Sequence, residues 1–132
     1  MVEKHEPARP QSIAVDELAP RLERGDVFVL DVRRTRHDAQ IYGSIHYDPK
    51  KLLAAARLIL PLPKAAGAIV LYDEDGGSER LDEVAAALEA SGYAEPLVLA
   101  GGFAAWRDAG LRTEEPSLEQ PVPLVSEQQV ER

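Results

Sequence analysis

Three unbroken apolar runs constrain this chain more than any other feature. They are Val27-Phe28-Val29-Leu30 ending in Asp31, Ala68-Ile69-Val70-Leu71-Tyr72, and Leu97-Val98-Leu99. None alternates with polar residues, as a half-solvated antiparallel strand would. Continuous apolar strands are expected where a sheet is buried on both faces. Between them lie segments with helical signals. Residues 16–24 carry acids early, arginine late and Gly25 as a stop. Pro20 fits that helix only if it lies in the first turn, where a missing amide is harmless. Pro49 suits a first helical position, and residues 50–60 continue the helix until Pro61 and Pro63 end it. Residues 78–91 form the clearest helix, with Leu81, Val84, Ala85 and Leu88 on one face and Gly92 as terminator. Gly101-Gly102 turns into a last helix over 103–109, closed by Gly110. Ser44-Ile45-His46-Tyr47 reads as a short strand, and residues 33–40 as a polar loop with at most one helical turn. Strands alternating with helices predict an α/β domain whose parallel sheet is covered on both faces.

The chain has 132 residues, enough for one domain. Residues 1–11 read as a flexible arm, 12–113 as the folded domain, and 114–132 as an acidic, proline-containing tail. In that tail Pro116, Pro121 and Pro123 alternate with glutamates, and Val122, Leu124 and Val125 are candidates to dock on the domain or on a neighbouring subunit. The net charge of −8 argues against a nucleic-acid partner. No apolar run approaches the ~18 residues a membrane span requires. The polar first ten residues do not resemble a signal peptide, which makes the cytoplasm the expected location. The chain contains no cysteine, which excludes disulfides, thiolate nucleophiles and thiolate-ligated metals.

In parallel sheets, ligands bind beyond the carboxyl ends of the strands. The most distinctive such place is Tyr72-Asp73-Glu74-Asp75-Gly76-Gly77-Ser78-Glu79-Arg80. A strand, a glycine-containing loop and a helix N-terminus in succession can cradle an anion with backbone amides. An ordinary strand-to-helix turn capped by Ser78 or Asp75 accounts for the same residues.

Several segments in order resemble the rhodanese-homology (rhodanese-like) domain, a family of sulfurtransferases and their relatives. Residues 12–18 resemble its opening strand and helix, and Val29-Leu30-Asp31-Val32-Arg33 its strand ending in Asp-Val-Arg. Gln40-Ile41-Tyr42-Gly43-Ser44-Ile45 resembles its His-Ile-Pro-Gly-Ala-Ile segment. Residues 69–72 stand where the strand precedes the active-site loop, and residues 99–106, with Gly101, Gly102 and Trp106, resemble its Gly-Gly…Trp segment. The resemblance implies a three-layer α/β/α fold around a mostly parallel sheet of about five strands.

The departure falls on the loop. Where family enzymes place cysteine, this chain has Asp73; Gly76 is kept, and the Arg-Ser positions hold Ser78 and Glu79. A carboxylate cannot carry transferable sulfur as a persulfide. From Asp73 to Glu95 there are eight acids against one base, Arg80, a field that repels anionic substrates. The resemblance therefore implies a domain without sulfurtransferase activity, a protein-interaction or regulatory module with an unidentified protein partner and no cofactor; a homodimer is compatible with it. The degenerate loop comprises Asp73, Glu74, Asp75, Gly76, Gly77, Ser78 and Glu79, flanked by Asp31 and Arg33. We expect Asp73 or Asp75 to fold inward onto two or three loop amides, and Arg33 to pair with Asp73 or Glu74. A solvated acidic rim is the plainer alternative.

A second reading treats Asp73 and Asp75 as the Asp-x-Asp-Gly of a magnesium-dependent phosphatase or hydrolase. It lacks a downstream lysine, the last being Lys64, and Gly77 replaces the usual hydroxyl residue. A calcium loop starting at Asp73 needs glutamate where Val84 stands. His5, His37 and His46 show no metal-ligand spacing. The basic cluster Arg33, Arg34, Arg36 and His37 is a candidate contact for an acidic partner, and Phe103 and Trp106 read as core anchors.

Overall fold

The computed structural model describes residues 10–34 and 38–123. In chain order these form β1 (Ser12–Ile13), α1 (Val15–Arg24), β2 (Phe28–Asp31), β3 (Gln40–Ile41), β4 (Ile45–His46), α2 (Pro49–Ala54), β5 (Ile69–Tyr72), α3 (Glu79–Ala90), β6 (Leu97–Leu99), α4 (Gly102–Asp108) and β7 (Thr113–Glu114). Five strands make the main sheet in the order β1-β6-β5-β2-β4, and every neighbouring pair is parallel. β3 and β7 pair separately and antiparallel. None of the described helices is long and apolar enough to cross a membrane.

The strand residues sort by parity. Leu30, Ile69, Leu71 and Val98 face a core built with α2, α3, Leu58 and Leu60. Val29, Val70, Tyr72 and Leu99 face the opposite core, built with Leu18 of α1 and with Phe103 and Trp106 of α4. Successive strand side chains point to opposite faces, so an unbroken apolar strand must be covered twice. The result is three layers, helices on both sides of one sheet, as the apolar runs required. Phe28 is the exception, half exposed where β2 begins.

Two helices differ from expectation. Pro20 lies in the second turn of α1 rather than the first. Its missing amide leaves the Asp16 carbonyl without a helical partner, and because Pro20 is on the solvent face water can supply one. The helix expected over 50–60 ends at Ala54. Beyond it the chain is extended, which sends Leu58 and Leu60 inward and leaves Ile59 outside. The Leu58 amide donates to Ser91 Oγ at 2.8 Å and the Leu60 amide to the Tyr93 hydroxyl at 2.8 Å, so the inward backbone is satisfied without a helix.

Residues beyond β7 run along the domain as far as the description extends. The Ser117 amide donates to Gln40 Oε1 at 2.8 Å, Lys51 Nζ meets Glu119 at 2.7 Å, and the Gln120 amide donates to the His46 carbonyl at 2.8 Å. Val122 packs on the α2–α3 core. Leu124, Val125, His5, Arg36 and His37 lie outside the described residues.

Leu88 has no exposed surface in the last turn of α3, whereas Leu53 on α2 is 36% exposed. Leu88→Ala is expected to cost about 2–5 kcal/mol in urea unfolding, and Leu53→Ala under about 1 kcal/mol.

Candidate functional site

The register of the sheet brings three strand ends level, with Asp31 of β2 beside His46 of β4 on one side and Tyr72 of β5 on the other. Strand order reverses between β2 and β5, since the chain goes on from β2 toward one edge and from β5 toward the other. That is where α/β sheets open a crevice. A cleft of about 230 Å³ lies there, lined by Val32, Arg33 and Arg34 after β2 and by Asp73, Glu74, Ser78, Arg80 and Leu81 after β5.

One wall is organised by Asp31, which is 3% exposed. Its carboxylate accepts the Arg33 amide at 3.0 Å, Arg33 Nε at 3.0 Å and Arg33 Nη2 at 2.7 Å. The Tyr72 hydroxyl donates to it at 2.9 Å and itself accepts the Ile41 amide at 3.1 Å. The Tyr72 hydroxyl is also 3.0 Å from Ser44 Oγ. Burial, and next the negative charge of Asp31, push the Tyr72 hydroxyl well above the ordinary phenol range. Burial opposes the charge on Arg33, but its hydrogen bonds to Asp31 and the attraction between them prevail and hold its pKa above the usual value. The guanidinium also donates to the Ala39 carbonyl at 2.7 Å and lies 4.5 Å from the centre of the Phe103 ring.

The other wall is the loop from Asp73 to Ser78. Asp73 Oδ1 accepts the Gly76 amide, Asp75 Oδ1 the Gly77 amide at 3.1 Å, and Ser78 Oγ the Arg80 amide at 2.9 Å. Asp73 is nearly buried, while Glu74, Asp75 and Glu79 are exposed. The carboxylates therefore do fold onto the loop, but each takes one amide rather than two or three. Arg33 finds Asp31 as its main partner; of the expected partners it reaches Glu74, through Nη1 at 3.4 Å.

The loop rests directly on the turn before α4. The Asp73 carbonyl accepts the Phe103 amide and the Glu74 carbonyl the Ala104 amide, both at 2.9 Å, so the loop caps that helix. The approach is too close for side chains. A Cβ on Gly102 would lie 2.6 Å from the Asp73 carbonyl oxygen, and one on Gly76 would lie 2.7 Å from the Gly101 nitrogen. Both glycines also have positive φ. Among the described residues no three of His, Asp and Glu are grouped so that they could hold a metal ion.

Sequence reasoning named the loop, Asp31 and Arg33, which the structure brings together. It missed the hydroxyl network of Tyr72 and Ser44, and it did not connect Arg34 and Arg80, which are far apart in the chain and share the cleft. It also missed Gln40, a buried amide that donates to Glu114 at 2.7 Å and to the Ser44 carbonyl at 3.0 Å.

The profile of the rhodanese-like domain matches residues 14–109. The chain belongs to the rhodanese-like domain family. This rhodanese-like domain is similar to a solved full-length protein from Lactobacillus plantarum, at 28% identity and TM-score 0.68, covering 80% of this chain and 88% of the other. It is similar to the rhodanese-like domain of an Anabaena protein, at 28% identity and TM-score 0.62, over 90% and 93% of the two chains. A thiosulfate sulfurtransferase from Pseudomonas aeruginosa shares the fold at 24% identity and TM-score 0.64, over 83% of this chain and 20% of that one. No curated protein sequence matches significantly. Within the family frame, Asp73 opens the loop in a domain that has no cysteine.

Removing the Arg33 guanidinium strands a buried carboxylate. Arg33→Met is expected to cost about 3–5 kcal/mol in chemical denaturation, and adding Asp31→Asn to recover part of it. Gly102→Ala forces the loop off α4 and is expected to destabilise by at least about 1–3 kcal/mol, with amide shifts concentrated at residues 73–76.

Proposed function

We propose that this chain is a non-catalytic rhodanese-like domain that lacks sulfurtransferase activity and works by binding a protein partner at its strand-end cleft, in the cytoplasm. The observation that carries the reading is the state of the loop. Asp73 begins it, and its carboxylate is turned back onto the Gly76 amide. Sulfur transfer requires a nucleophile that attacks a sulfane sulfur, holds it and releases it to an acceptor. A carboxylate has no stable sulfur adduct, and no thiol exists elsewhere in the chain to replace it. The amides of Gly76, Gly77 and Arg80, which would otherwise greet an incoming anion, already have acceptors from within the loop. What is left at the switch point is a small, charged, partly apolar cleft at the carboxyl end of the sheet, a place suited to recognition.

The test is a thiosulfate–cyanide assay on the purified chain and on Asp73→Cys. The unmodified chain is expected to form no thiocyanate above the blank rate. Turnover by it would refute the reading. The Asp73→Cys variant is expected to take up one sulfur from thiosulfate, visible by mass spectrometry, because the surrounding fold is that of the family.

A further inference from the structure

We propose that the cleft between the ends of β2 and β5 recognises a carboxylate-bearing peptide segment of a protein partner, held by Arg34 and Arg80. The proposal rests on the protein-binding reading above and names the partner chemistry at that site.

The argument begins with charge. Eight acids crowd residues 73–95, yet only Asp73 and Glu74 line the cleft. Both are already engaged: Asp73 accepts the Gly76 amide, and Glu74 faces Arg33 Nη1 at 3.4 Å. Arg33 is in turn held by Asp31 at 2.7 Å. Arg34 and Arg80 remain. Among the described residues neither guanidinium has a hydrogen-bond or ion-pair partner, and both border the same cavity. In a chain of net charge −8, a cleft flanked by two uncommitted guanidinium groups is a local reversal of sign. None of the acids of α3 lines the cleft, although the linear sequence mixes them with Arg80.

Size and lining narrow the ligand. A volume of about 230 Å³ suits a side chain with its adjoining backbone and falls below the range usual for cofactor pockets. Val32 and Leu81 give the cleft an apolar part that fits the methylenes of a glutamate. Ser78 Oγ accepts the Arg80 amide and keeps its own proton to donate. Guanidinium groups match a carboxylate with paired, charge-assisted hydrogen bonds. A phosphate dianion carries more charge toward Asp73 and Glu74, which favours the singly charged group.

The experiment is a titration of the isotope-labelled full chain, followed by amide shifts, with three probes. They are a blocked peptide of two adjacent glutamates between leucines, its glutamine counterpart, and inorganic phosphate. The glutamate peptide is expected to shift Val32, Arg34, Ser78 and Leu81, and to bind more weakly as salt is raised. Arg34→Gln and Arg80→Gln are each expected to weaken it roughly tenfold, the loss of one charge-assisted contact. Arg34 is exposed and Arg80 half-buried, and unchanged shifts elsewhere confirm that the variants are folded. Equal binding of the glutamine peptide, shifts centred on another face, or no binding at millimolar peptide would each overturn the proposal. Phosphate binding more tightly than the peptide would overturn it too, in favour of a free-anion site. None of these outcomes touches the absence of sulfur transfer, which thiocyanate formation reads separately.

Discussion

Asp31 is the group on which the rest of the structure depends. It stands at the end of β2, in register with Tyr72 and His46, and it gathers the Arg33 side chain, the Arg33 amide and the Tyr72 hydroxyl. A carboxylate and a guanidinium removed from water lose hydration that their attraction barely restores. The pair therefore adds little to net stability over an apolar substitute. It acts through geometry: either partner without the other is costly, so the chain after β2 can take only a course that keeps them together. That course lays Arg33 against Phe103 of α4, under Glu74, and within reach of the Ala39 carbonyl. One buried charge thus ties two strands, a helix and both walls of the cleft.

The loop keeps its shape through contacts that do not involve the side chain at position 73. Gly76 and Gly102 hold two backbones closer than any Cβ allows, and the loop carbonyls cap α4. These contacts are indifferent to the side chain at position 73. Asp73 fits because its short carboxylate can bond an amide three residues ahead, a local preference of aspartate. Aspartate at this position leaves the packing in place and turns its carboxylate onto the Gly76 amide. The crevice at the switch point persists with an aspartate in place of a thiol.

Gln40 is a second organiser. It is buried at the start of β3, with its amide donating to Glu114 and to the Ser44 carbonyl and its oxygen accepting from Ser117. Through it the segment after β7 is joined to the same wall that carries Tyr72 and Ser44. Nothing in the local sequence marks this role, because a glutamine beside an isoleucine has the composition of any polar turn.

The linear sequence determined the architecture. Runs of apolar residues without alternation have two faces to cover, and the helical segments between them supply two layers of cover, so the three-layer arrangement follows from burial. The sequence also determined which chemistry is absent, since a chain without cysteine has no thiolate in any fold. Local signals failed where tertiary contacts overrode them: the helix from Pro49 stops at Ala54, and the irregular segment after it buries both Leu58 and Leu60 and finds amide partners in Ser91 and Tyr93. Only the tertiary structure decided the charge of the site. In sequence Arg80 is one base among acids, and Arg34 belongs to another loop. Coulomb interactions depend on distance in space and on which groups are already paired, and both quantities exist only once β2 and β5 lie side by side.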